Sequence, residues 1–187
     1  MNTPNKLTLL RVVLIPVYMV LYLCCGTAGL YGALIVFLLA TLTDNLDGYL
    51  ARKNGQITTF GKLMDPLADK MLNMAALISF VERDVPYVTA GVVMVILARE
   101  LIVTGVRLIA MGENKVIAAS MWGKAKTVSQ FALVVAVMLF EIVTAHFPQM
   151  EIYGRMVILV LVILAVILTV YSGVDYIVKN RKLINFK

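Results

Sequence analysis

Four aspartates, Asp44, Asp47, Asp65 and Asp69, fall in one short segment of a 187-residue chain in which only 15% of residues are charged. Asp44 and Asp47 are spaced i,i+3, and Asp65 and Asp69 i,i+4, so on helices each pair shares one face. Two helices joined by a short loop can aim all four at one point. Carboxylates crowded in this way repel one another and would largely protonate unless cations neutralise them. Oxygen-only donors favour a hard cation such as Mg²⁺ or Mn²⁺. The segment contains no cysteine or histidine, which argues against zinc. Four carboxylates suffice for two adjacent ions, an arrangement that clamps attacking and leaving oxygens in phosphoryl chemistry. Taken singly, any of these aspartates could cap a helix or pair with Arg52, Lys53, Lys62 or Lys70. Four at these spacings favour the metal reading.

The neighbours suit a ligand site. Gly48 and Ala51 follow Asp47, and Gly61 precedes Asp65 by four. Residues this small let helices pack closely or let a ligand approach the backbone. Arg52 supplies a guanidinium that can hold a phosphate bidentately. Pro66, between the second pair of aspartates, either starts a regular helix or kinks one. Further along, Arg99 and Arg107 are eight residues apart, nearly on one helical face, and Lys124 and Lys126 add two cations at the start of the next apolar segment. A buried cation cluster of this kind suits a dianionic phosphate on an acceptor. The competing reading pairs Arg99 with Glu100 or an aspartate and leaves the lysines as markers of the cytoplasmic side.

The elements that must carry these residues follow from composition. Hydrophobic residues make up 61% of the chain, against roughly half in a soluble domain. Residues 12–43 contain no charge, and neither does the 19-residue run Met156–Val174. A helix crosses the hydrocarbon layer in roughly 20 apolar residues. The backbone there must satisfy its own hydrogen bonds, which predicts helices, and the alternation of a membrane barrel is absent. The pattern predicts an all-α integral membrane protein with six spans, about 7–25, 29–51, 62–83, 86–111, 120–145 and 151–179, forming a single six-helix domain. The first span is expected to be retained rather than cleaved as a signal. Lysine and arginine concentrate on one side of such a layout, including Lys6, Arg11, Arg52, Lys53, Lys62, Arg107, Lys124, Lys126 and Lys179, which places both termini in the cytoplasm. The net charge of +6 then lies on one face, where it can also attract anionic membrane lipids. There is no separate basic domain for nucleic acid.

The run Asp44-x-x-Asp47-Gly48-x-x-Ala51-Arg52, eight residues, then Gly61-x-x-x-Asp65-x-x-x-Asp69 resembles the full signature of the CDP-alcohol phosphotransferase family. The resemblance covers the whole chain, since that family also has six spans with the signature bridging the second and third. It implies that Asp44, Asp47, Asp65 and Asp69 hold two divalent cations, Mg²⁺ or Mn²⁺, and that Asp69 also serves as general base. It implies CDP-lipid contacts from Gly48, Ala51, Arg52, Thr58 and Gly61. The segment Pro4-Asn5-Lys6-Leu7-Thr8 resembles the family's N-terminal stretch, which adds Asn5 and Thr8 to those contacts. A homodimer is implied as well.

The segments around Arg99-Glu100 and Gly123-Lys124-Ala125-Lys126-Thr127 resemble the bacterial phosphatidylglycerophosphate synthase branch of the family. That likeness implies CDP-diacylglycerol as donor, glycerol 3-phosphate as acceptor, with Arg99, Arg107, Lys124 and Lys126 on its phosphate, and a cell (plasma) membrane location with the site at the cytoplasmic face. The rivals are phosphatidylglycerol as acceptor, in a cardiolipin synthase, and an inositol phosphate. A divalent-cation carrier, of a different class, explains intramembrane aspartates but not the small residues and Arg52 at signature spacing. Elsewhere, Trp122, Tyr22, Tyr31, Tyr87 and Tyr153 suit an interfacial aromatic belt. His146 reads as interfacial, Cys24 and Cys25 as lipid-facing or packing residues, and Asp175 as a partner of Lys179.

Overall fold

The computed structural model describes the backbone of residues 3–53, 59–112 and 120–181, and the side chains of residues 9–43, 68, 70–110 and 120–181. Among the described residues there are six long helices and no strand: α1 (Thr3–Cys24), α2 (Gly26–Lys53), α3 (Thr59–Glu82), α4 (Ala90–Gly112), α5 (Met121–His146) and α6 (Glu151–Lys179). Most boundaries lie within about a turn of those expected from the apolar runs. α3 begins at Thr59, so Pro66 is interior to that helix rather than at its start.

The breaks have local causes. Only Cys25 separates α1 from α2, and Gly26 takes a left-handed conformation, φ +60°, that glycine adopts without steric cost. Gly29 then passes so close to the Leu21 carbonyl that a β-carbon there would collide with it. This tight turn starts α2 three residues before the expected position. α4, by contrast, starts four residues late. Asp84 and Tyr87 are left-handed (φ 53° and 66°), which holds residues 84–87 out of the helix. Thr89 then caps α4, its hydroxyl accepting from the Val92 amide at 3.4 Å. A short 3-10 turn, Pro148–Met150, joins α5 to α6.

The chain divides into two compact units, residues 1–83 with 138–151, and residues 84–137 with 152–187. In the first, α1 packs against both α2 and α3, and α2 touches α3. The inward face of α1 is Arg11, Ile15, Tyr18 and Tyr22, at successive four- and three-residue steps, and it meets Phe37 and Ala40 of α2, where Leu30 and Ala33 are also buried. Tyr18 stacks on Tyr22 at 5.7 Å between ring centroids, and Phe80 of α3 meets the Tyr22 ring edge-on at 5.4 Å. Small residues, Ala33, Ala40, Ala68, Ala75 and Ala76, are buried where helices approach.

In the second unit α6 buries Ile158, Val162, Ala165, Thr169, Ser172, Gly173 and Tyr176. Its outer face is just as apolar, with Ile152, Val160, Ile163, Ile167 and Val174 exposed. A helix apolar on every side needs an apolar solvent. Among the described residues three helical segments, Gly26–Thr43, Met121–His146 and Pro148–Lys179, are long and apolar enough to cross a membrane, and Leu9–Cys24 is a shorter apolar stretch. The chain is a helical membrane protein. Charged residues interrupt the apolar runs of the other two helices: Asp65, Asp69 and Lys70 on α3, Arg99, Glu100 and Arg107 on α4.

Candidate active site

The two aspartate pairs lie on continuous helix. Asp44, Asp47, Gly48, Ala51 and Arg52 belong to the last turns of α2, and Gly61, Asp65 and Asp69 to the first turns of α3. Helical spacing therefore keeps each pair on one face, and both helices belong to the first unit. The side chains of these eight residues, and of Asn5 and Thr8 on α1, lie outside the described residues, as does Thr58 altogether. As a donor set, four carboxylates fit one or two hard divalent cations. Among the described residues no three His, Cys, Asp or Glu side chains come together, so the metal reading rests on these aspartates.

Arg11 lies one turn along α1 from Thr8, and Ala40 one turn along α2 before Asp44. The Arg11 side chain is only 1% exposed and donates from Nε to the Ala40 carbonyl at 3.3 Å. That same carbonyl accepts from the Thr43 hydroxyl at 2.8 Å. From the sequence alone Arg11 is a topology charge. Its place at the head of the buried Ile15, Tyr18, Tyr22 stripe was the available signal. A buried guanidinium is tolerated only with partners.

The expected acceptor cations divide. On α4 Arg99 donates from one terminal nitrogen to Glu100 at 3.1 Å and from the other to the Ser172 hydroxyl of α6 at 3.0 Å. Lys126 of α5 makes a short ion pair with the same Glu100 oxygen. Glu100 and Lys126 are both buried. Two cations thus converge on one buried carboxylate. Arg107 is placed differently, with its guanidinium 5.6 Å from the centre of the Tyr176 ring, and Lys124 is exposed. Arg99 does pair with Glu100, as the competing reading held. Ser172 was not singled out in the sequence. A serine followed by a glycine inside an apolar helix was the signal that could have found it.

A second polar group occupies the first unit. Glu141 of α5 accepts a short hydrogen bond from the Tyr22 hydroxyl and an ion pair from Arg83 Nε at 2.9 Å. Arg83 also donates to the Tyr22 carbonyl at 3.0 Å, with its guanidinium 5.1 Å from the centre of that ring. Tyr22 is therefore fully buried and not part of an interfacial belt. Trp122, Tyr31, Tyr87 and Tyr153 are exposed as such a belt requires. His146 bonds to the Ile142 carbonyl at 3.0 Å and sits edge-on to Tyr31. Cys24 and Cys25 are free and exposed, and Asp175 pairs with Lys179 at 2.8 Å.

Membrane-spanning helices, aspartate pairs on two consecutive helices and a buried Arg–Glu–Lys group on two others define the class: a polytopic helical membrane protein. A family model described as CDP-alcohol phosphatidyltransferase matches residues 1–173, and the chain belongs to that family of enzymes. It is 41% identical, over 96% of its length and 95% of the relative's, to a Bacillus subtilis protein named CDP-diacylglycerol–glycerol-3-phosphate 3-phosphatidyltransferase. A Haemophilus influenzae protein of the same name is 34% identical over 94% of this chain and 91% of its own. A Mycobacterium tuberculosis protein named as a probable phosphatidylglycerophosphate synthase is 39% identical over 95% of this chain and 81% of its own.

Proposed function

We propose that this chain transfers the phosphatidyl group of CDP-diacylglycerol to glycerol 3-phosphate, giving phosphatidylglycerol phosphate and CMP. The observation that carries the reading is the 41% identity to the Bacillus subtilis protein, which runs along nearly the whole of both chains. In this account Asp44, Asp47, Asp65 and Asp69 hold two divalent cations, Mg²⁺ or Mn²⁺. When bound, those ions neutralise the diphosphate of the donor. Asn5, Thr8, Gly48, Ala51, Arg52, Thr58 and Gly61 contact the CDP headgroup. Asp69 takes the proton from the acceptor hydroxyl as its oxygen attacks the phosphorus nearer the diacylglycerol, and CMP leaves. Arg99 and Lys126 hold the acceptor's phosphate, with Arg107 and Lys124 on its approach.

Six membrane spans in one domain, both termini in the cytoplasm, a site at the cytoplasmic face of a bacterial plasma membrane and a homodimer complete the proposal. The one-sided distribution of lysine and arginine supports the orientation. The test is CMP release by purified protein in detergent with CDP-diacylglycerol and Mg²⁺, offered glycerol 3-phosphate, serine, inositol phosphate or phosphatidylglycerol. Release that needs glycerol 3-phosphate and is lost in Asp69→Asn is the expected result. Release with another acceptor contradicts the account of the cation cluster. No release with any acceptor, from folded protein that binds the metal, favours a cation carrier.

A further inference from the structure

We infer that Ser172 and Gly173 of α6 are positioning residues for acceptor recognition, acting through Arg99; this rests on the proposal that Arg99 and Lys126 hold the acceptor's phosphate. A guanidinium presents five donors in a fixed plane, so its value as a phosphate ligand depends on how that plane is held. Arg99 is held at three points. Glu100 accepts from one terminal nitrogen at 3.1 Å, and the Ser172 hydroxyl accepts from the other at 3.0 Å. Between them, the aliphatic stem lies on Gly173, where a β-carbon would come within 2.9 Å of Arg99 Cγ and 3.8 Å of Nε.

Gly173 sits inside α6 with an ordinary helical backbone, where glycine is less favourable than alanine. The close approach of the Arg99 stem is the physical reason for a glycine there. The chemistry of Ser172 matters equally. Its hydroxyl donates to the Thr169 carbonyl at 3.1 Å, which turns a lone pair toward Arg99. A neutral acceptor fixes the guanidinium without cancelling its charge, as a second carboxylate would. Glu100 is already shared between Arg99 and Lys126. The arrangement therefore orients Arg99 through a neutral partner. Its Nε is buried and makes no hydrogen bond among the described residues, so that edge of the fork has capacity left.

The same contacts could serve only to knit α4 to α6, and kinetics separate the two roles. The full-length enzyme and the variants Ser172→Ala, Ser172→Thr and Gly173→Ala are compared by KM for glycerol 3-phosphate, KM for CDP-diacylglycerol and kcat. Gly105→Ala is the control, because a β-carbon at Gly105 meets nothing within 4 Å. Ser172→Ala and Gly173→Ala should each raise the glycerol 3-phosphate KM about tenfold, the scale of a weakened charge-assisted hydrogen bond. The KM for CDP-diacylglycerol should not move, and Ser172→Thr, which keeps the hydroxyl, should stay near wild type. In an Arg99→Ala background the same substitutions should add less than about twofold. Equal rises in both KM values, full effects without Arg99, or no effect would each overturn the inference. Ser172→Ala removes one oxygen and keeps the test open if Gly173→Ala does not fold. A wild-type enzyme that ignores glycerol 3-phosphate removes the acceptor reading itself, and shows this before any substitution is made.

Discussion

Replacing Glu141 with alanine should loosen the protein without touching its chemistry. The carboxylate receives the hydroxyl of a fully buried tyrosine, Tyr22, and an ion pair from Arg83, and its own side chain is 12% exposed. Losing a buried hydrogen bond to a charged group costs about 1.5–3 kcal/mol, with the Tyr22 hydroxyl left unpartnered. Arg83 is 30% exposed and keeps the Tyr22 carbonyl and ring, so its lost ion pair adds less than about 1 kcal/mol. The sum is about 3 kcal/mol, which for a chain of this size lowers Tm by roughly 6–12 °C. Between Asp69 and Glu82, α3 climbs roughly 20 Å at 1.5 Å per residue, so the Arg83 end of the helix is remote from its aspartate pair. KM values measured well below the melting range should therefore stay within about twofold of wild type. Thermal melts in detergent for Glu141→Ala, Tyr22→Phe and the double variant supply the check. Tyr22→Phe should cost far less once Glu141 is gone, because both act through one hydrogen bond. An unchanged Tm in Glu141→Ala, or strictly additive losses in the double variant, would refute the reasoning.

Chelation should abolish CMP release, and excess Mg²⁺ or Mn²⁺ should restore it without refolding; activity that survives exhaustive chelation contradicts the assignment of Asp44, Asp47, Asp65 and Asp69. Glu100→Gln should remove the counter-charge that Arg99 and Lys126 share and so destabilise the protein. Thermal melts should show this as a loss of stability larger than that of Gly105→Ala. Ile163→Arg places a charge on the exposed face of α6 near its middle, where insertion scales put the cost at about 2.5–3.5 kcal/mol. The inserted fraction in a membrane-integration assay should fall accordingly, while the same change at the exposed Ile152 near the helix start should be tolerated.

The aspartate pairs were legible because their information is local: residue type and spacing alone put Asp44 with Asp47 and Asp65 with Asp69. The helices were legible because charge-free runs in lipid have few alternatives. Asp175 with Lys179 is likewise a pair within one helix. What the sequence hid depends on which face of each helix turns inward. On α6 inner and outer faces are equally apolar, so periodicity does not distinguish Val162 from Val160. Small and weakly polar residues, Thr169, Ser172 and Gly173, carry that signal instead. The partners of Glu141 come from residues 22 and 83, and the anchor of Arg99 from residue 172. Spacing rules do not reach across such separations. Tyr22 illustrates the consequence: near a span end it resembles a belt residue, yet the half-buried Glu141 carboxylate beside it gives its hydroxyl a partner. The late start of α4 belongs to the same category, set by the left-handed Asp84 and Tyr87 rather than by Pro86.

The central claim is tested most directly by following the acceptor into the product. Purified protein is given CDP-diacylglycerol, Mg²⁺ and radiolabelled glycerol 3-phosphate, and the label is counted in the lipid phase. The account predicts lipid-soluble label that requires CDP-diacylglycerol, matches the CMP released mole for mole, and disappears in Asp69→Asn. CMP release with no label entering lipid would contradict it, because the phosphatidyl group would then be leaving for another acceptor.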